Sequence, residues 1–231
     1  MFTYNFKTIR FGGIKMKKRT ILFLLILFSS FSHAINATSD SISTIYTDGE
    51  FTTQYQTKLK VSNKITNDVA DYLVNDFHNS PENLFNWALK DLGLQNKSNE
   101  LIIVFKSSTN DTKTDITHGI FDIVIPNFTT FGGIKVDAIV SKTKYYNGET
   151  KVTANIIYSS LLMKNALGTL TIIPQINNEQ LLITNVKIRF GWFFNLFITK
   201  NRYRSIVQWR IKKFTENFKN ECLKRQKSGI N

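Results

Sequence analysis

The clearest hydrophobic pattern of this sequence lies near its C-terminus, over residues 201–226. At about 100° of rotation per residue, as in an α-helix, the apolar side chains of this segment fall on one stripe. The residues of the stripe are Tyr203, Val207, Ile211, Phe214, Phe218 and Cys222. The spacing predicts a long amphipathic helix, and a stripe of this width needs a partner surface to cover it.

The first part of the chain predicts one strand followed by two short helices. Residues 45–61 alternate loosely and are rich in Thr and Tyr, which is typical of a long, bent strand. Ser62 is a good helix cap, and the apolar residues after it recur at helical spacing. Ser80 followed by Pro81 favours the start of a second helix, which its apolar residues continue to about Gly93.

Residues 101–190 predict about six strands in a meander. Asn147-Gly148 stands between two alternating runs and is a strong hairpin signal, and Asn177-Asn178 marks a second hairpin. The last of these strands alternates apolar and polar side chains, so one of its faces is expected to be buried.

Together these elements predict a single α+β domain over residues 45–227. Its sheet would be antiparallel and curved, with about six to seven strands, and two short helices would follow the first strand. Because a sheet with one apolar face must be covered, we expect the long C-terminal helix to pack on it.

In this order of elements the chain resembles the helix-grip superfamily of START and Bet v 1-like proteins. The resemblance has no residue motif behind it and therefore identifies no site residue. It implies a long C-terminal helix across the concave face of the sheet, and an apolar cavity for lipids, sterols or other hydrophobic ligands. A tubular lipid-binding fold, with a long helix wrapped in a curved sheet, is an alternative that implies a similar function.

Aromatic side chains are concentrated where the last strand meets the terminal helix. A turn cannot direct all of them into one core, so we expect some of them to line or gate a cavity. The predicted cavity or gate residues, including two from the helix stripe, are Phe190, Trp192, Phe193, Phe194, Phe197, Tyr203 and Phe214.

The N-terminus is typical of a secretory signal peptide at residues 16–34. Three basic residues follow Met16, an apolar run extends over residues 21–28, and Ala34 ends a plausible cleavage site. The apolar run is shorter than the roughly 20 residues that a membrane span needs. Residues 1–15 are then interpreted as an extension before the true initiator, and residues 35–44 as a flexible lead-in to the domain.

Cysteine content bears on the compartment that receives the exported chain. Cys222 is the single cysteine of the sequence, so no internal disulfide can form. Eukaryotic extracellular domains more often carry disulfides. The sequence therefore favours a secreted protein of the bacterial periplasm or envelope.

The net charge of +13 is unevenly distributed. Six bases fall in the first 34 residues, and the terminal segment after Asn201 carries nine bases against two acids, while the body between them is neutral. A cationic helix face can meet an anionic membrane or an envelope protein. Trp209 lies among bases opposite the apolar stripe, as interfacial lipid contacts do. The predicted contact residues are Trp209, Lys212, Lys213 and Lys219.

Catalytic and cofactor motifs do not stand out in this sequence. It has no nucleophile elbow, phosphate-binding glycine loop or dinucleotide fingerprint, and no metal or cofactor is expected. His118 lies near Asp115 and Asp122, but this spacing is a weak metal signal. Nucleic acid is not an expected partner of an exported protein, and an enzyme is not favoured. A hydrolase or cyclase on this scaffold would need His118 or a carboxylate facing the cavity.

Two functions are consistent with these features. In the first, an envelope-associated protein binds or carries a hydrophobic, lipid-like ligand between the sheet and the terminal helix. In the second, a non-catalytic structural or interaction module with a solid core docks through its basic C-terminal helix. A hollow interior lined by apolar atoms would favour the first, and a close-packed interior the second.

Overall fold

A computed structural model describes residues 40–92, 102–125, 127, 129–160, 163–191 and 199–229. Within these residues the chain forms eight strands and three α-helices. The strands are β1 Ser41–Thr47, β2 Glu50–Lys60, β3 Ile102–Asp111, β4 Ile116–Ile125, β5 Thr129–Lys144, β6 Thr150–Ser159, β7 Met163–Pro174 and β8 Glu179–Phe190. The helices are α1 Asn63–Asn79, α2 Pro81–Asn86 and α3 Lys200–Lys227.

All eight strands form one open antiparallel sheet in the order β1-β2-β8-β7-β6-β5-β4-β3. Strands β3 to β8 are a meander, and the β1–β2 hairpin joins it by pairing β2 with β8, for example Tyr55 opposite Thr184. The long helix α3 contacts β1, β2 and β8, and α1 contacts β5 and β6. This is the α+β architecture that the sequence predicts, and its arrangement is that of a helix-grip fold.

The N-terminal strand differs from the prediction because residues 41–60 form a hairpin. Residues 41–44, expected to be the end of a flexible lead-in, lie in β1, where Ser41 pairs with Gln56. Asp48 and Gly49 form a turn with φ values of 51° and 80°. Both residue types tolerate positive φ, so the bend expected within one long strand is a complete reversal, which raises the number of strands to eight.

The first helix begins where the sequence predicts, and the second is shorter than predicted. The Ser62 hydroxyl oxygen accepts a hydrogen bond from the backbone N–H of Ile65, 3.4 Å away. Helix α2 starts at Pro81 but ends at Asn86. The predicted helix continued to about Gly93, which lies outside the described residues. Residues 87–92 form turns instead. Trp87 leaves the helix and donates its indole N–H to Asp76 at 2.9 Å.

One end of the molecule is close-packed. There α1, α2 and the C-terminal half of α3 meet the sheet around Val69, Ile172, Leu182, Phe218 and Cys222, each fully buried. Burial raises the pKa of the Cys222 thiol to about 12, which makes it a packing residue rather than a nucleophile. We call this region the solid core.

The other end contains smaller clusters. Phe51 and Tyr203 stack with ring centroids 3.9 Å apart, and Phe190 meets both rings edge-on. Val207 and Ile211 continue this cluster along α3.

None of the helices within the described residues combines the length and apolar character that crossing a lipid bilayer requires.

Candidate ligand cavity

The space between the sheet and the first half of α3 is hollow. It has two lobes of about 340 and 360 Å³. The lobes share six lining residues, so they are two parts of one cavity with a common waist. The waist residues are Ala154, Gly168, Val186, Ile188, Val207 and Arg210.

The first lobe lies between the start of α3 and strands β3, β4 and β6 to β8. Its other described lining residues are almost all apolar: Ile103, Ile123, Ile156, Met163, Ala166, Leu167, Phe190, Tyr203 and Ile206.

The second lobe lies under the middle of α3, beside α1 and the turns after α2. Its lining beyond the waist is also apolar, apart from the hydroxyl groups of Thr169 and Thr184. The apolar residues are Leu73, Phe77, Leu84, Leu89, Leu92, Val140, Val152, Leu170, Ile211 and Phe214.

Small residues on adjacent strands create the space at the waist. Ala154 on β6 pairs with Gly168 on β7, which in turn pairs with Val186 on β8. A Cβ added at Gly168 would approach no atom closer than 3.9 Å, so the missing side chain leaves open volume. Sequence reasoning missed these residues. The available signal was that buried-face positions of two predicted strands hold Ala and Gly where a core would hold larger side chains.

The structure brings together part of the aromatic set that the sequence predicts. Phe190 and Tyr203 line the first lobe, and Phe214 lines the second. Trp192, Phe193, Phe194 and Phe197 lie outside the described residues, so their role as a gate stays a prediction.

Tyr203 places a polar atom beside the first lobe. The residue is only 3 % exposed, and burial raises the pKa of its phenol to about 12. The Thr53 side chain lies close enough to influence this pKa, but the Tyr203 hydroxyl makes no hydrogen bond of good geometry within the described residues. By contrast, the buried Tyr55 donates its hydroxyl to Asp40 at 2.8 Å.

Arg210 is the lining residue that the sequence analysis overlooked. It lies seven residues after Tyr203 and three after Val207, which brings it to the edge of the apolar stripe of α3. Its side chain lines both lobes, and its Nε atom is buried. Among the described lining residues of the cavity it carries the one formal charge.

The predicted contact residues of α3 separate into different environments. Trp209 is 40 % exposed and Lys212 is exposed. The Lys213 ammonium lies 3.4 Å from the Asp91 carboxylate. Lys219 is half-buried and donates to the Thr57 hydroxyl of β2 at 3.0 Å. Lys219 therefore faces the sheet, contrary to the outward position expected for it.

The described cavity walls contain neither of the groups that the hydrolase or cyclase hypothesis needs, His118 or a carboxylate. Their residues include no His, Asp or Glu. His118 lies on the opposite face of the sheet, with Nδ1 2.8 Å from the carboxylate of Asp137, and Asp122 pairs with Lys106. Within the described residues no three His, Cys, Asp or Glu side chains cluster to hold a metal ion.

Comparison with known proteins gives similarities in fold only. No family model matches the chain, and no curated protein matches it. A conserved protein from Geobacillus kaustophilus aligns with a TM-score of 0.48 and 16% identity, covering 75% of this chain and 96% of that one. A STAR-related lipid transfer protein from Xanthomonas axonopodis aligns with a TM-score of 0.46 and 10% identity, covering 82% of this chain and 96% of that one. A START superfamily protein from Mycobacterium smegmatis aligns with a TM-score of 0.43 and 10% identity, covering 75% of this chain and 97% of that one. Because these scores lie below 0.5, the functional conclusions rest on the geometry of this chain.

Proposed function

We propose that this protein binds a hydrophobic, lipid-like molecule in the two-lobed cavity under α3. The observation that carries the proposal is the apolar cavity between the sheet and α3. Each lobe falls within the range of about 300–1,000 Å³ that is usual for ligand sites, and both are lined almost entirely by apolar side chains.

The energy for such binding comes from removing hydrocarbon from water. Each buried CH₂ contributes about 0.8 kcal/mol, so a chain that fills one lobe needs no special chemistry to bind. The lining favours an apolar chain over a polar metabolite, because it offers few hydrogen-bond partners to a buried polar group. Helix α3 acts as the lid, with Tyr203, Val207, Ile211 and Phe214 toward the cavity or the clusters around it.

Filling the waist tests this function. Gly168→Leu directs a large side chain into the volume that both lobes share, and we expect it to lower the affinity for a fluorescent fatty alcohol at least about tenfold. Ser141→Leu is the matched control, because Ser141 is exposed on the outer face of β5. It should bind as the wild type does. Equal affinities of both variants, or failure of the wild type to bind any long-chain probe, would overturn the proposal.

Native mass spectrometry gives an independent test without a chosen probe. The wild-type protein, purified without detergent, should carry a hydrophobic molecule that solvent extraction removes, and Gly168→Leu should carry much less. A wild-type mass equal to that of the bare chain, together with no probe binding, would count against the carrier.

We also propose that the protein works outside the cytoplasm, in a bacterial envelope. The support is the basic, apolar and small-residue order of residues 16–34. Expression of the whole chain in a bacterial host should give a periplasmic or envelope-associated product that begins at Ile35. A cytoplasmic product retaining residues 16–34 would contradict the export proposal and leave the cavity function unaffected.

Contact with an anionic membrane is proposed for the exposed side of α3. Trp209 and Lys212 are exposed there, one helical turn apart, so an aromatic ring and a cation can meet a bilayer surface together. Trp209→Ala combined with Lys212→Glu should reduce sedimentation with vesicles that contain anionic lipid, and salt should reduce it as well. Unchanged sedimentation would exclude this surface. The alternative of a docking module is less favoured, since Lys213 and Lys219 already have partners within the chain.

A further inference from the structure

The charge of Arg210 restricts the kind of lipid that suits this cavity. Its side chain lines both lobes from the middle of α3, and the Nε atom of its guanidinium is buried. Nearly all the other described lining residues are apolar, and none of them is acidic. A ligand that fills either lobe therefore lies beside a cation at the waist, whichever neighbours within the protein also contact that cation.

Guanidinium chemistry identifies the complementary group. Arginine presents five N–H donors in a planar fork that matches a carboxylate or phosphate with two parallel hydrogen bonds. Five donors exceed what one neighbour normally uses, so the side chain can serve a ligand in addition to neighbours within the protein. Such charge-assisted bonds are about twice as strong as neutral ones.

We propose that the ligand is an anionic amphiphile whose oxyanion head pairs with Arg210 at the waist and whose hydrocarbon fills a lobe. The position explains why the charge lies between two apolar spaces rather than at one end, since a hydrocarbon arm can extend to either side of the head. This inference rests on the proposed function, and it adds the requirement for a negative charge.

The competing interpretation is that the guanidinium extends toward water along the apolar stem of Arg210, which would make the charge irrelevant to the ligand. A neutral and a charged lipid of equal chain length separate the two. Hexadecanol, palmitate and hexadecyl phosphate have saturated chains with the same total number of carbon atoms and differ in the head. The two anions show whether the site prefers a carboxylate or a phosphate head.

The experiment measures the affinity of the delipidated full chain for these three probes. Three variants accompany the wild type: Arg210→Gln, Arg210→Lys and, as control, Arg204→Gln on the exposed side of α3. The wild type should bind at least one anion about tenfold more tightly than hexadecanol, because hydrogen bonds between a guanidinium and an anion are stronger than those to a neutral hydroxyl group. Arg210→Gln should abolish this preference, because it should weaken binding of the preferred anion about tenfold more than binding of hexadecanol. Arg210→Lys should retain part of the preference, and Arg204→Gln all of it.

The outcomes that overturn the inference differ from those that overturn the function. Equal binding of hexadecanol and both anions by the wild type would remove the role of Arg210 and leave the hydrophobic cavity intact. An equal loss for all three probes in Arg210→Gln would show that Arg210 only packs. Failure of all probes on the wild type would overturn the cavity function and this inference together. Should Arg210→Gln not fold, the preference of the wild type and its retention in Arg210→Lys still decide the matter.

Discussion

The two halves of α3 belong to one continuous apolar stripe but face different surroundings. From Thr215 onward the helix packs on the solid core, where Phe218 and Cys222 are fully buried. Before Thr215 the same stripe spans the cavity, with Val207 and Phe214 among its walls. The helix alone does not explain the difference, because its apolar residues are as large in the first half as in the second.

The sheet explains the difference. Beneath the second half of α3 the strands present Ile172 and Leu182, which fill the space. Beneath the first half they present Ala154 and Gly168 on neighbouring strands, which leave it open. One helix can therefore pack on a filled core along one half and cover a binding cavity along the other, when the side chains of the sheet beneath it change in size.

The largest expected effect distinguishes two phenylalanines four residues apart on α3. Phe218→Ala should lower the free energy of unfolding by about 3–5 kcal/mol, because it opens a new cavity in close-packed surroundings. Phe214→Ala should cost less than half as much, since the ring already borders empty space and is partly exposed. Urea denaturation measures both. Equal losses would show that the two halves of α3 are packed alike.

The second effect is alkaline sensitivity at the cavity end of α3. Burial raises the pKa of Tyr203 from 10.0 to about 12, so the neutral phenol is favoured in the folded state. Its contribution to stability is present below pH 10 and is lost as the pH rises through about 12.

Denaturation at a series of pH values between 9 and about 12 measures this contribution. Tyr203→Phe should make the alkaline fall in unfolding free energy shallower, by on the order of 2 kcal/mol. Part of the fall should remain, because burial also raises the pKa of Tyr55 and of Cys222 to about 12. An unaltered profile would contradict burial of the Tyr203 phenol.

The third effect compares the same two tyrosines at neutral pH. Tyr55→Phe removes the hydrogen bond to Asp40, which we expect to cost about 1 kcal/mol given the exposure of that carboxylate. Tyr203→Phe removes a hydroxyl without a well-formed hydrogen bond, so stability should stay within about 0.5 kcal/mol or increase. Thermal or urea unfolding measures both variants. A larger loss for Tyr203→Phe than for Tyr55→Phe would show that the Tyr203 hydroxyl makes the stronger hydrogen bond.

The last comparison concerns two glycines. Gly168→Ala should stabilise the protein by about 0.5 kcal/mol, since the added methyl group enters open space and restricts the unfolded chain. Gly148→Ala should destabilise it by about 1 kcal/mol, because Gly148 has a φ of 82° in the β5–β6 turn. Destabilisation by Gly168→Ala would mean that the waist is already filled.

The sequence by itself determined the elements whose signals are local. Asn147-Gly148 and Asn177-Asn178 form the predicted turns, Ser62 caps α1, and the stripe of α3 runs over the predicted length. These features depend on φ preferences and on periodicity within a few residues. The N-terminal hairpin was missed because the strand character of residues 41–44 comes from pairing with β2, and not from their own composition.

Only the tertiary structure decided the site. Ala154, Gly168 and Val186 are distant in sequence, and the register of β6, β7 and β8 places them side by side. The same packing turns Arg210 toward the cavity and Lys219 toward Thr57, although both are bases on an amphipathic helix. A helical period indicates which residues share a face, whereas the volume left beneath that face depends on side chains that other strands supply.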